Sequence, residues 1–241
     1  FENSVYREIV SKCKSPHKIQ WIHIDYFEWR KINQYTIKAS EKDRIIYQNF
    51  DQIVFVSKAS RRGFLMMYPE LVTKCHVCYN LIDTERIFRL SSDLSEYNAF
   101  LKDIVMHIVT VARIDDEQKG IKRYINVAKK LVNDGYDFEW IFLGDGPEFE
   151  NTRTLVETYG LSSYVRLLGH SLNPYVYIKN ADVFALFSYY EGIPNTVFEA
   201  LILGTPVIAT AVTGIKEQVS DSVGYLVPNL EKEIYFGMKY I

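Results

Sequence analysis

Cysteine is scarce, with three residues in 241. Three thiols build no disulfide framework. Cys75 and Cys78 form a C-x-x-C, but the surrounding residues read as a strand, where positions i and i+3 face opposite sides. That disfavours a redox pair, which sits at a helix N-terminus. A zinc site would need two further ligands, and Cys13 is the only other thiol. Free thiols suit a reducing cytoplasm. Glycine and proline number only 12 and 7, and 48% of the residues are hydrophobic, which excludes fibrous and disordered classes. No apolar run approaches the roughly 18 residues of a membrane span. Neither sign of charge dominates: the net is −2, which excludes electrostatically driven nucleic-acid binding by the whole chain. The opening Phe1-Glu2-Asn3-Ser4 is polar, lacks Met and does not read as a secretory signal, so a fragment or processed product is expected. There is no D-x-D carboxylate pair, Walker A lysine loop, metal-spaced His/Cys cluster or G-x-S-x-G elbow, and no internal repeat.

The charge that is present is uneven. Residues 1–80 hold 13 Lys/Arg against 8 Asp/Glu, a net of +5, and residues 81–241 hold 15 against 22, a net of −7. A basic first part is suited to an anionic surface such as a membrane leaflet.

Apolar patterning alternates strand and helix. Strands are expected within Lys18–Asp25 and over Gln52–Val56 and Cys75–Tyr79, with helices over Tyr35–Asn49 and Ser60–Met67. Patterning lapses at Ser91–Tyr97, the best boundary. A second series follows: strand Ile104–Val111, helix Ile121–Asn133 stopped by Gly135, strand Phe138–Leu143, and helix Glu148–Tyr159 stopped by Gly160. Then come strand Val165–Leu168, helix Tyr175–Asn180, strand Val183–Phe187, helix Thr196–Leu203 stopped by Gly204, and strand Pro206–Thr210. Strands separated by single helices predict a parallel, doubly wound α/β sheet, with ligands beyond the carboxyl ends of the strands. The loops after Val111, Leu143, Leu168 and Phe187 are therefore the places to look.

Five features could carry chemistry, four of them in those loops. In the stretch from Tyr190 to Glu199, a loop carboxylate (Glu191) precedes Gly192, Ile193, Pro194, Asn195 and Thr196, and a helix follows that carries Glu199. Unpaired N–H groups at the helix start suit phosphate or sugar oxygens, and two acids beside them suit a ligand that also carries hydroxyls. Arg113 and Lys119 sit at the end of a buried strand and could neutralise a diphosphate. The intervening Asp115-Asp116-Glu117 reads as a solvated loop tip. Gly144-Asp145-Gly146-Pro147 is a glycine-rich turn that leaves room for a ligand. Leu168 and Gly169 end a strand that could offer backbone groups to a base. His23 lies near the end of a buried strand, where a lone histidine is more often a satisfied core residue but is also well placed to face a cleft.

The order Arg113…Lys119, Gly144-Asp145-Gly146-Pro147, Val165–Gly169, Glu191-x7-Glu199 and Gly204-x-Pro206-Val207-Ile208-Ala209-Thr210 resembles the retaining glycosyltransferases of family four, the group 1 enzymes with the GT-B fold. Trp21-Ile22-His23 is similar to the strand carrying the family's active-site histidine. The resemblance implies two Rossmann-like lobes with parallel sheets, the amino-terminal one incomplete and apparently truncated at its start. Residues 1–90 would form the partial acceptor-side lobe, 91–103 a linker, and 104–241 the nucleotide-sugar-binding lobe. It implies that Arg113 and Lys119 bind the donor diphosphate, and that Glu199 binds the ribose hydroxyls. Glu191 would contact the transferred sugar, with the backbone from Gly192 to Thr196 closing around it. Gly144 would leave room for the donor, Leu168 and Gly169 would border the base, and His23 would lie beside the sugar.

The implied activity is metal-independent retaining transfer from a nucleotide-sugar, by family habit a UDP-sugar, to a saccharide or lipid-linked acceptor in bacterial surface polysaccharide synthesis. No cofactor is implied. The expected location is the cytoplasm, at the inner face of the cell membrane. Two alternatives are a donor-binding fragment without turnover and a sugar-nucleotide epimerase on the same fold. The first would bind without transfer, and the second would form product without an acceptor.

Overall fold

The computed structural model describes residues 4–32, 37–95, 97–102 and 105–241. The chain divides into two compact units. One is 1–81 with 190–193, and the other is 82–189 with 194–241. Among the described residues no helix is long and apolar enough to cross a membrane.

The first unit runs α1 (Ser4–Ser11), β1 (Ile19–Ile22), α2 (Tyr26–Ile32), α3 (Ile37–Gln48), β2 (Gln52–Phe55), α4 (Lys58–Met67), a 3-10 turn (Pro69–Lys74) and β3 (Cys75–Val77). Its three strands pair in parallel in the order β1-β2-β3. The sequence locates all three, each shorter than expected, and α3 within one or two residues; positions 35 and 36 lie outside the described residues. Cys75 is buried and Cys78 exposed, as the strand reading requires. One apolar core gathers Ile22, Ile24, Ile53, Phe55 and Phe64 with the rings of Tyr26, Tyr47 and Tyr68. Polar groups sink beside it. The Arg7 guanidinium pairs with Asp43 and donates to the Tyr47 hydroxyl at 2.7 Å, while Tyr26 donates to Asp43. Ser57 caps α4 by accepting the Ser60 N–H.

The second unit runs α5 (Thr84–Leu90), β4 (Met106–Val111), α6 (Ile121–Asn133), β5 (Phe138–Leu143), α7 (Phe149–Thr158), β6 (Val165–Gly169), α8 (Tyr175–Lys179), β7 (Val183–Leu186), α9 (Asn195–Ile202), β8 (Val207–Thr210), β9 (Gly224–Val227) and α10 (Glu231–Tyr240). All six strands are parallel, in the order β6-β5-β4-β7-β8-β9. Two apolar cores cover the sheet, one on each face. Ile108, Trp140, Phe142 and Ala185 point to one core, and Val109, Ile141, Leu143, Phe184 and Leu186 point to the other. Burial on both faces is why these strands read as continuous apolar runs. On α6, Ile121, Tyr124, Ile125, Ala128 and Leu131 make the buried stripe.

The three glycine stops act alike. Gly135, Gly160 and Gly204 take left-handed backbone. In each case the next residue's N–H reaches back to the last helical turn: Tyr136 to Leu131 O, Leu161 to Val156 O, and Thr205 to Ala200 O. This closes the orphan carbonyls.

The boundary falls between Leu81 and Ile82 rather than across 91–103. The α5 helix packs on α8 and α9. Asn173 donates its side-chain amide to Leu90 O at 2.9 Å, and Lys179 donates to Ser92 Oγ. These bonds tie the irregular stretch to the second unit; positions 96, 103 and 104 lie outside the described residues. Conversely, Tyr190–Ile193 belong with the first unit, because the Tyr190 ring enters its core.

Candidate functional site

The strand order of the second unit reverses between β4 and β7. In open α/β sheets such a switch point opens a crevice beyond the carboxyl ends of the strands. A cavity of about 390 Å³ occupies that place, lined by Val111, Ala112, Arg113, Leu143, Gly144, Asp145, His170, Ser171, Pro174 and Thr196. Another hollow of about 380 Å³ lies at the amino ends of β7, β8 and β9. It is on the wrong side of the sheet for a switch-point ligand.

Two loops form the cavity floor. Ala112 N–H donates to Leu143 O, Ile114 N–H to Asp145 O, and Gly144 N–H to Gly169 O. Gly144 has φ +144°, and a Cβ there would stand 1.9 Å from Ala112 O. The residue is glycine because the β4 and β5 loops touch at this point, not only to leave room for a ligand.

The loop from Arg113 to Gly120 departs from its expected form. Asp115 is buried, not a solvated tip. Its carboxylate accepts the Gln118 N–H at 2.8 Å and the Lys119 N–H at 3.3 Å, and pairs with Arg113 Nε at 2.8 Å. Burial alone would raise its pKa, but the Gln118 N–H and the Arg113 bond outweigh that and hold it below the ordinary carboxylate value. Asp116 pairs with Lys122 instead. Asp115 is thus an internal brace between Arg113 and the Gln118–Lys119 backbone, while Glu117 is exposed as expected.

Arg113, Gly144 and Thr196 line the cavity. Leu168 and Gly169 end β6, directly before the lining residue His170. Lys119 belongs to the same braced loop but is not a lining residue. At the α9 start the N-cap residue Pro194 makes no side-chain capping bond, and Gln218 donates its side-chain amide to the Pro194 carbonyl at 2.9 Å. Glu199 stands in the second turn of α9. Burial raises its pKa, and Arg86 of α5 partly offsets this. That arginine, near a half-buried acid, carries no periodic signal, and sequence reasoning missed it.

His23, Glu191, Gly192 and Ile193 lie in the first unit. The His23 ring stacks on Trp21 with centroids 5.9 Å apart and planes at 17°. Glu191 is buried. A Cβ on Gly192 would stand 2.0 Å from His23 O. The close approach expected of Gly192 is therefore made, within this unit, to the backbone of His23. The residue next to Glu191 thus packs against the His23 backbone, though the sequence separates them widely.

Residues 102–234 match the family model for glycosyl transferases group 1. An uncharacterised glycosyltransferase of Methanocaldococcus jannaschii is 28% identical over 216 residues, covering 86% of this chain and 53% of the relative. The N-acetylgalactosamine-N,N'-diacetylbacillosaminyl-diphospho-undecaprenol 4-alpha-N-acetylgalactosaminyltransferase of Campylobacter jejuni is 25% identical over 236 residues, covering 97% of this chain and 60% of that enzyme. The chain therefore spans between half and two thirds of these relatives' lengths. A Staphylococcus aureus TarM variant, crystallised with fondaparinux, alpha-GlcNAc-glycerol and UDP, superposes with a TM-score of 0.71 at 19% identity, over 95% of this chain and 45% of its own. With its parallel α/β units, its GT-B structural neighbours and a family match over more than half its length, the chain belongs to the group 1 glycosyltransferases.

Proposed function

We propose that the crevice of the second unit binds a nucleotide-sugar, and that the chain carries the donor machinery of a retaining transferase. The observation that supports this best is the cavity itself, at the switch point of the sheet, with Arg113 on one wall and Thr196 of the first turn of α9 on another. In this proposal Arg113 and Lys119 neutralise the diphosphate, Glu199 accepts hydrogen bonds from the ribose hydroxyls, and Leu168 and Gly169 border the base. The backbone from Gly192 to Thr196 closes on sugar and phosphate, Glu191 orients the sugar hydroxyls, and His23 lies beside the sugar.

The chemistry follows from where charge develops. Cleaving the bond between anomeric carbon and phosphate builds negative charge on the leaving diphosphate, while the sugar becomes oxocarbenium-like. Fixed cations and helix amides meet that charge without reorganising. The leaving phosphate takes the acceptor's proton on the same face, which retains configuration. In this scheme no metal ion is needed, and turnover is expected to persist in EDTA. Removing one such donor should cost about 2.7–4 kcal/mol of barrier, roughly 100- to 1000-fold in rate.

A UDP-sugar donor and a saccharide or lipid-linked acceptor in bacterial surface polysaccharide assembly are supported by the UDP in the TarM crystal and the diphospho-undecaprenol in the Campylobacter enzyme's name. The proposed location is the cytoplasmic face of the membrane, with the basic first unit toward anionic lipid. Sedimentation with vesicles that is indifferent to anionic lipid would remove that part.

A thermal-shift screen of nucleotide-sugars on the wild type, Glu199→Ala and Lys119→Ala tests the donor site. A true donor should stabilise the wild type by mass action and lose most of that effect in both variants. Equal shifts in all three proteins would overturn the assignment.

A further inference from the structure

Five backbone groups in the short segment Phe187–Tyr189, directly after β7, are held by residues from elsewhere in the second unit. Tyr124 Oη accepts the Phe187 N–H, and Arg123 Nη2 donates to Phe187 O. Thr210 Oγ1 donates to Ser188 O at 2.7 Å. Tyr189 N–H donates to Gln118 O at 2.8 Å, and Asn229 Nδ2 donates to Tyr189 O at 2.9 Å. The segment is thereby joined to α6, to the end of β8, to the residues after β9, and to the braced loop that carries Arg113 and Lys119.

Arg123 is the centre of this arrangement. It is 4% exposed. Nη1 donates to Asn229 Oδ1 at 2.7 Å, closing a ring of bonds with Tyr189 and Phe187. The guanidinium lies over the Tyr189 ring, 3.9 Å from its centroid. Among the described residues it forms no ion pair, and its Nε has no hydrogen-bond partner. Burial pulls its pKa below the ordinary arginine value. A guanidinium costs more to bury than an apolar side chain of similar size, so filling space does not explain it. Room has been left for it as well: a Cβ on Gly120 would stand 2.8 Å from Arg123 Nε and 2.9 Å from Tyr189 Cε2.

We infer that Arg123 and Asn229 are positioning residues that lock the carboxyl end of β7 to the Arg113–Gly120 loop, so that the start of the donor loop and Lys119 hold one fixed relation. The bond that transmits the lock is Tyr189 N–H to Gln118 O, one residue before Lys119. This rests on the proposed reading of the crevice as a donor site. Binding energy for a diphosphate then includes no cost for ordering two loops, since both are ordered beforehand.

The test uses the 241-residue chain and three variants, Arg123→Met, Arg123→Lys and Asn229→Ala. Amide hydrogen exchange reads the lock without any ligand, and calorimetry reads affinity for UDP. In Arg123→Met and Asn229→Ala, peptides covering 115–120 and 186–190 are expected to lose protection together, about tenfold, while β5 keeps its own. UDP affinity should fall about tenfold in both, with the unfolding midpoint of Arg123→Met unchanged or higher because a buried charge is gone. Arg123→Lys should recover part of the affinity, since one ammonium serves Phe187 O but does not bridge to Asn229 in the same plane. Loss of protection confined to 186–190, or wild-type UDP affinity in both Arg123→Met and Asn229→Ala, would overturn the inference. If the wild type binds no UDP, the donor-site reading falls, and the exchange result still decides the lock.

Discussion

The two units treat their sheets differently. The six-stranded sheet is covered on both faces, and its inner strand β5 has every residue buried. The three-stranded sheet is backed by one core, and its edge strand β1 alternates buried Gln20 and Ile22 with exposed Ile19 and Trp21. Where apolar layers run out, the first unit fixes itself with buried polar bonds: Arg7 to Asp43 and Tyr47, and Arg30 to Tyr68. Such bonds set geometry but add little net stability, because desolvation offsets most of their attraction. The second unit, covered on both faces, carries the proposed diphosphate and ribose contacts.

Matched substitutions sharpen this contrast. Trp140 is fully buried and donates its indole N–H to Thr110 Oγ1 at 3.0 Å, so Trp140→Ala should cost about 3–5 kcal/mol in urea denaturation. Trp21 is 39% exposed, and Trp21→Ala should cost under about 1 kcal/mol. Similar losses at both positions would erase the distinction between a covered and an open face. Asp43→Asn leaves the buried Arg7 charge unpaired and should cost about 3 kcal/mol. Hydrogen exchange should localise that loss to the first unit, with β4 and β5 still protected.

The smallest effect is the pH dependence at Glu199. Its folded-state pKa is raised by burial, so the folded chain keeps a proton that the unfolded chain has already released. Stability from that proton is full below the unfolded value and is lost as pH rises through the folded one. Glu199→Gln should therefore raise the neutral-pH melting temperature slightly and flatten that part of the profile, while weakening nucleotide binding at pH values above the raised one, where the wild-type carboxylate is charged. In the wild type, nucleotide affinity should fall as pH drops through the raised value, because a protonated carboxyl has lost an acceptor. An affinity that rises on acidification would contradict the ribose role.

How much of this was legible follows from which forces leave periodic traces. The second unit's strands β4–β8 and helices α6–α9 were read within a residue or two, because two-sided burial writes apolar runs and helix stops write glycines. Strand β9 was not anticipated: it is an edge of four residues with exposed Tyr225. Helices α1, α2 and α5 were missed as well; all three are short, and α2 opens on an aspartate, Asp25, whose carboxylate accepts the Phe27 and Glu28 N–H groups. At the site, Arg113, Gly144, Glu191 and Glu199 could be named because their residue types and spacing carry chemistry. The burial of Asp115 and the roles of Arg86, Arg123 and Asn229 could not. Each depends on a long-range partner, and a single charged residue looks the same in sequence whether it meets water or a carbonyl.

The ring of Tyr190 in the first unit's core has a consequence for how the molecule is made. A ribosome delivers residues 1–81 long before Tyr190, so the first unit waits, with an unfilled place in its core, until most of the second has been synthesised. Its final closure is a contact of high sequence separation, the kind that forms slowly and leaves apolar surface open to aggregation meanwhile. Neither unit is a contiguous cassette, and a cut at the 81/82 junction would release a first unit missing one of its own aromatic pieces.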